Sequence, residues 1–153
     1  YPTPVGQITS DDWNRLLASN LKAPLFLTQA AAPYLKRRLG GVVNIVDIHA
    51  QRPLKQHSVY CVAKAGLAML TQAMALELGP EIRVNGIAPG AILWPEPAPS
   101  DAAKQKIIQQ TFLKRHGTPE DIAQTVLFLL SNAPYITGEI ITVDGGKSLN
   151  TGT

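Results

Sequence analysis

A single cysteine, Cys61, stands among the 153 residues. One thiol excludes an internal disulfide and any zinc site built on several cysteines, and it suits a reducing cytoplasm. Aromatic residues make up only 6% of the chain. They do not interleave with its lysines and arginines as a base-stacking surface requires, which argues against nucleic-acid binding. No apolar run approaches the ~20 residues of a membrane span. The opening YPTPVGQ has neither the basic region nor the apolar core of a signal peptide. The three histidines, His49, His57 and His116, have no convergent partners, so no metal site is expected. The pattern G-x-G-x-x-G is also missing, so the loop that cradles a dinucleotide's phosphates is not encoded here.

What remains describes a globular chain. It is 45% hydrophobic and 16% charged with a net charge of +3, sufficient for one ordinary core. The densest basic cluster, LKRRLG at residues 35–40, reads as a solvated helix end. Along the chain, helical and strand periods alternate. Thr9 to Asp12 forms a capping-box pattern ahead of Trp13, Leu16, Leu17, Leu21 and Leu25 at helical spacing, with Pro24 and Pro33 expected to kink or break that helix. GVVNIVDI reads as a buried parallel strand. A second helix is expected from about Ser58 to Leu78, stopped by Gly79 and Pro80. EIRVNGIAPG is a strand closing in a Pro-Gly turn, and AILWPEPAPS a proline-rich loop. Ser100 and Thr118 are expected helix caps, the second followed by Pro119 at the first helical position. GEIITVDGG supplies a last strand, with Asp144 in its closing turn.

Such alternation predicts an α/β fold, a Rossmann-like doubly wound parallel sheet with ligands bound beyond the carboxyl ends of its strands. Asp47 and the Pro89-Gly90 turn both fall at such ends. With no phosphate loop, the whole chain, 1–153, is expected to be the C-terminal, catalytic and substrate-side portion of one reductase-type domain.

Tyr60 and Lys64 lie one helical turn apart on a shared face. A phenol of ordinary pKa ~10 is a poor acid at neutral pH, and a nearby ammonium lowers that value, making a proton donor. Any amphipathic helix offers the same spacing, so the pair alone decides nothing. Its surroundings do: YCVAKAGLAMLTQAMALELGPEIRVNGIAPGAI, with NLKAP before it and YITGEIITVDGG after it, resembles the short-chain dehydrogenase/reductase family. The resemblance implies that Tyr60 is the proton donor and that Lys64 binds the nicotinamide ribose while lowering the tyrosine's pKa. It implies that Asn20 holds a water in the proton relay. Pro89, Gly90, Ala91 and Ile92 match the turn that lies against the nicotinamide, and the cofactor implied is NADPH. A homo-tetramer is likewise implied, with the apolar stripe of Leu67, Leu70 and Met74 as its contact.

Two departures from the family pattern sharpen the expectation. Asp47 stands where most members carry serine, and with NIVDIHAQRPLKQHSVY, GAILWPE and YPTP it is similar to the pteridine reductases. A carboxyl beside Tyr60 can hydrogen-bond the donor and share a proton with it, which suits a pterin ring nitrogen. Trp94 replaces a common threonine; its indole suits a flat aromatic ligand or anchors its own loop. Cys61 reads as a packed thiol, and Met69 and Met74 as gap-filling core or subunit-contact residues. The leading expectation is NADPH-dependent reduction of a dihydropterin or dihydrofolate, with Asp47, Tyr60 and Trp94 meeting the substrate. A short-chain reductase of carbonyls such as a 3-oxoacyl thioester or sugar ketone is the alternative, and a non-catalytic half-domain the third.

Overall fold

The capping box at Thr9 is formed: its hydroxyl accepts the Asp12 N–H at 3.1 Å and the Asp12 carboxyl accepts the Thr9 N–H at 3.1 Å. From it α1 (Ser10–Leu17) starts. In the computed structural model, which describes residues 1–150, the helix then widens into one π turn, Ala18–Lys22, before α2 (Ala23–Lys36) resumes. The Ala23 N–H reaches back five residues to Ala18 O. Pro24 explains the change: it lacks the N–H that Asn20 O would accept in a continuous α-helix, so the turn is re-registered just before it. Pro33 does not break the helix, contrary to expectation; α2 runs through it to Lys36.

Three strands follow: β1 (Gly41–Ile45), β2 (Arg83–Pro89) and β3 (Ile140–Val143). They form one parallel sheet in the order β1-β2-β3, with Ile45 opposite Ile87 and Pro89 opposite Val143. The central strand β2 is buried from Val84 to Ala88. Its two faces carry separate cores. On one side α3 (Ser58–Leu78) brings Met74 and Ala75 onto Ile82 and Val84, with Leu25 and Leu35 of α2 packed alongside. On the other, α5 (Pro119–Ser131) sets Leu129 against Ile87, with Val43, Ile141 and Val143 around them. Helices on both faces of a parallel sheet give the α/β, Rossmann-like arrangement, here with three strands. A short helix, α4 (Asp101–Gln109), is capped by Ser100 as expected.

Two features differ from the sequence reading. At 21 residues α3 is long and apolar enough, by length and composition, to cross a membrane, although no such segment was expected. Here its Val59, Ala63, Leu67 and Thr71 are buried against the sheet and neighbouring helices. The expected contact stripe also lies elsewhere: Leu67 and Met74 belong to the chain's own core, whereas Val62, Met69 and Leu76 are exposed. Buried polar groups fix the sheet from both sides. Asn44 Nδ2 donates to Thr71 Oγ1 at 2.9 Å. Asn85 donates to Ile136 O at 2.9 Å and accepts the Glu139 N–H at 3.0 Å.

Candidate active site

Beyond the end of β1 the chain turns at Asp47, which caps a single 3-10 turn, Ile48–Ala50. Its Oδ1 accepts the His49 N–H at 2.8 Å, which fixes the carboxyl in place. The free oxygen, Oδ2, accepts the Tyr60 hydroxyl at 2.6 Å. Tyr60 stands in the first turn of α3, held there by Val59 and Ala63 packing beneath. One turn later Lys64 donates from Nζ to Ile45 O at 2.9 Å, tying the helix to the last carbonyl of β1. Its ammonium lies 5.8 Å from the centre of the Tyr60 ring. Asp47, Tyr60 and Lys64 thus come together as one corner at the carboxyl end of the sheet.

The electrostatics of that corner depart from expectation. Lys64 does not lower the Tyr60 pKa here. Burial pushes the phenol far above its usual value, and the hydrogen bond to Asp47 and the carboxylate's charge push it the same way. Burial lowers the Lys64 ammonium, partly opposed by the charge of Asp47. The combined effect is a phenol kept protonated with its hydroxyl already donating.

Asn20 sits in the π turn, where its Nδ2 donates to Leu16 O and to Ser19 Oγ, both at 3.0 Å. Asn20 and Lys64 line one cleft of about 340 Å³ that runs along β1. Of the ammonium's three protons one is used by Ile45 O, so two point elsewhere. Such donors suit the hydroxyls of a ribose. The Pro89–Ile92 turn packs closely on the chain behind it. A Cβ on Gly90 would lie 2.6 Å from Asp144 Cβ and 2.8 Å from its Cα, so backbone meets backbone there and only glycine is accommodated. Gly90 N–H donates to Val143 O at 3.0 Å, which seats the turn on β3. Ala91 and Ile92 open onto a cleft of about 500 Å³ shared with Arg115, Asp121 and Asp144. Residues of this chain therefore suit a nicotinamide cofactor on its substrate side. Asp47 borders a different, smaller cavity of about 230 Å³.

Trp94 is not drawn into the corner. Its ring stacks on His116, with centroids 4.1 Å apart and planes at 25°. Asp144 accepts the N–H groups of Gly146 and Ser148 at 2.8 and 2.6 Å, the turn role expected of it. Cys61 accepts the Leu54 N–H at 3.3 Å, a packed thiol as expected. Two residues, His116 and Gly117, were not read in the sequence as contributors here. Each acts on a segment far away in the chain, and no local pattern announces that.

The geometry agrees with what this chain resembles. A family model describing enoyl-(acyl carrier protein) reductases matches residues 2–148. The chain is 38% identical over 157 residues to L-xylulose reductase of Caenorhabditis elegans, covering 95% of this chain and 61% of that protein. It is 37% identical over 145 residues to the 3-oxoacyl-[acyl-carrier-protein] reductase of Thermotoga maritima, covering 92% and 58%. The crystal structure of acetoin dehydrogenase from Enterobacter cloacae superposes with a TM-score of 0.87 at 34% identity, covering 100% of this chain and 62% of that one. The chain belongs to the short-chain dehydrogenase/reductase family, whose members are NAD(P)-dependent oxidoreductases. It spans about three-fifths of the length of these relatives.

Proposed function

We propose that this chain forms the catalytic and substrate side of a short-chain reductase that converts a carbonyl group to an alcohol. The observation that carries the reading is the Tyr60 hydroxyl donating to Asp47 at 2.6 Å from a buried position. The phenol is held protonated, and its raised pKa makes it a weak acid, so it gives up its proton only to a stronger base such as the alkoxide formed as hydride reaches a carbonyl carbon. Tyr60 delivers its proton to the substrate oxygen. Lys64 orients the ribose of the cofactor, Asn20 holds a water of the proton relay, and the Pro89–Ile92 turn backs the nicotinamide, which supplies the hydride when bound. Asp47 holds the donor in place between turnovers. NADPH is proposed over NADH on the family resemblance, and carbonyl substrates on the names of the relatives, which include a xylulose and a 3-oxoacyl reductase.

A dihydropterin is the second reading, favoured by the same carboxyl–phenol pair. A carboxyl bonded to the donor resupplies a proton, as reduction beside a ring nitrogen requires. The two readings separate in one steady-state comparison that follows NADPH oxidation with xylulose, a 3-oxoacyl thioester, dihydrobiopterin and dihydrofolate. Turnover of the carbonyls with inert pterins supports the first; the opposite pattern replaces it with the second.

A homo-tetramer is proposed as the working form. Its support is apolar surface left open on two adjacent helices: Phe26, Leu27 and Tyr34 on α2, and Val62, Met69 and Leu76 on α3. Light scattering on the purified protein tests it, and a monomeric mass removes it. A cytoplasmic location is proposed from the unpaired Cys61.

A further inference from the structure

The Trp94–His116 stack joins two segments that are remote in sequence, and it is one of three contacts between them. The Gly117 N–H donates to Ala91 O at 3.0 Å. A Cβ on Gly117 would lie 2.5 Å from Ile92 Cδ1 and 3.3 Å from Ala91 O, so the His116-Gly117 backbone lies directly against the base of the 91–99 loop. These two contacts hold the base of the loop. The ring stack holds the part beyond it.

That stack has a built-in cost. His116 Nε2 is buried and has no hydrogen-bond partner among the described residues. An unsatisfied buried nitrogen disfavours its state by an amount comparable with what a stacked ring pair gains. No amide hydrogen bond fastens the rest of the loop: the N–H groups of Ile92, Leu93, Trp94, Glu96 and Ala98 donate none among the described residues.

We propose that His116 is a positioning residue for the loop that follows the Pro89–Ile92 turn. Its imidazole is the seat on which Trp94 docks, and the unsatisfied nitrogen makes that docking releasable. Release opens the carboxyl end of β2 to a ligand; docking closes it. Trp94 then acts through the loop it carries, not as a free stacking surface. The kinetic consequence rests on the reductase reading above, whereas the clasp itself does not.

The test uses the protein at its full encoded length in a Trp13→Phe background, which leaves Trp94 as the sole indole of the two in this chain. His116→Ala is expected to shift Trp94 emission to longer wavelength and to raise KM for the carbonyl substrate about three- to tenfold, the scale of one lost ring stack. Its kcat is expected to stay within about twofold. His116→Phe keeps a stacking ring and lacks the unsatisfied nitrogen, so the loop should dock at least as firmly, with emission no redder and KM no higher than in the wild type. Unchanged emission and KM in the alanine variant overturn the proposal, and so does a phenylalanine variant that behaves like alanine. Should the alanine variant fail to fold by circular dichroism, the phenylalanine variant decides alone, with redder emission and higher KM than in the wild type as the overturning result. If no substrate is reduced by any version, the reductase reading fails, and the emission comparison still decides the clasp.

Discussion

The proton-transfer corner and the loop beside it leave the carboxyl ends of adjacent strands, yet they are held by opposite means. At the corner every functional side chain has a fixed partner: Asp47 is bonded to His49 and Tyr60, and Lys64 to Ile45. All of them stand on, or are bonded to, ends of regular elements whose other faces are core. The loop after β2 has no amide hydrogen bond among Ile92, Leu93, Trp94, Glu96 and Ala98, and one ring stack. The contrast matches two tasks. Proton transfer tolerates little displacement, so its groups are over-determined. Recognition and entry need a segment that moves, so it is drawn from weakly held chain.

The largest effect should come from the corner. Tyr60→Phe removes only the hydroxyl, keeps the ring's packing, and is expected to slow turnover by about 10² to 10⁴ while unfolding is unaltered. Steady-state kinetics and a thermal melt read both. Near-normal turnover would take Tyr60 out of the mechanism and leave the corner no better qualified than the loop.

Next in size is Asp47→Ser, which tests what the carboxyl adds. Under the carbonyl reading the rate stays within about threefold, because one proton to an oxygen needs only the phenol; under the pterin reading it falls by about one to three decades. The pH dependence has a definite sign. Burial is the main cause of the raised Tyr60 pKa, and the Asp47 hydrogen bond and charge add to it. Serine removes the second and third causes, so the phenol's pKa falls but stays above the ordinary value. Tyr60 works protonated, so the alkaline limb of the kcat/KM profile should move to lower pH in the variant. Stability follows the same logic. A raised folded pKa contributes stability that is present below about pH 10, the unfolded value, and is lost as pH rises beyond it. A limb that moves to higher pH in the variant would show that the carboxyl does not raise the donor's pKa.

How far each region could be read in advance follows from the same contrast. Tyr60 and Lys64 were legible as neighbours one helical turn apart, but their roles and that of Asp47 came from the resemblance to the family. The caps at Thr9, Ser100 and Thr118 and the full extent of α3 were legible from local patterns too. The energetics were not, because whether the ammonium or the carboxyl governs the phenol depends on which one it touches and how deeply it is buried. Pro33 misled since a proline inside a packed helix costs a bond without ending the helix. The stripe of Leu67 and Met74 misled since spacing shows which residues share a face, not what that face meets. Trp94 was left between ligand and anchor, and His116, its partner, carries no sequence signal that points to a loop elsewhere in the chain.

A third prediction concerns the opposite end of β2 from the loop. Arg83, at the start of β2, donates to Leu129 O at 2.6 Å, to Ala133 O at 3.1 Å and to Leu130 O at 2.9 Å, closing the carboxyl end of α5. Arg83→Met keeps the aliphatic stem and removes the donors. It should lower stability by about 2 to 3 kcal/mol in urea titration, the scale of charge-assisted bonds to backbone carbonyls. The fold of the corner should survive, since β1 and α3 do not depend on those carbonyls. Unchanged stability would mean that water closes the end of α5 equally well.

The smallest effect is the most direct test of the contrast, because it perturbs nothing. Amide hydrogen exchange depends on how often a hydrogen-bonded N–H is released, so groups with no acceptor exchange near the rate of an unstructured peptide. Five amides of the loop, at Ile92, Leu93, Trp94, Glu96 and Ala98, should therefore exchange fast. Gly90 and Gly117, whose N–H groups are bonded to Val143 O and Ala91 O at 3.0 Å each, should exchange slowly although they flank the same cleft. So should Gly86, bonded to Glu139 O at 2.8 Å in the centre of the sheet. Cofactor and substrate together should slow the five loop amides and leave Gly86 unchanged, because the sheet is already closed and only the loop has order to gain. Exchange that is slow throughout the loop before any ligand is added would place it in the same class as the corner. The division of the site into a fixed half and a moving half would then be wrong.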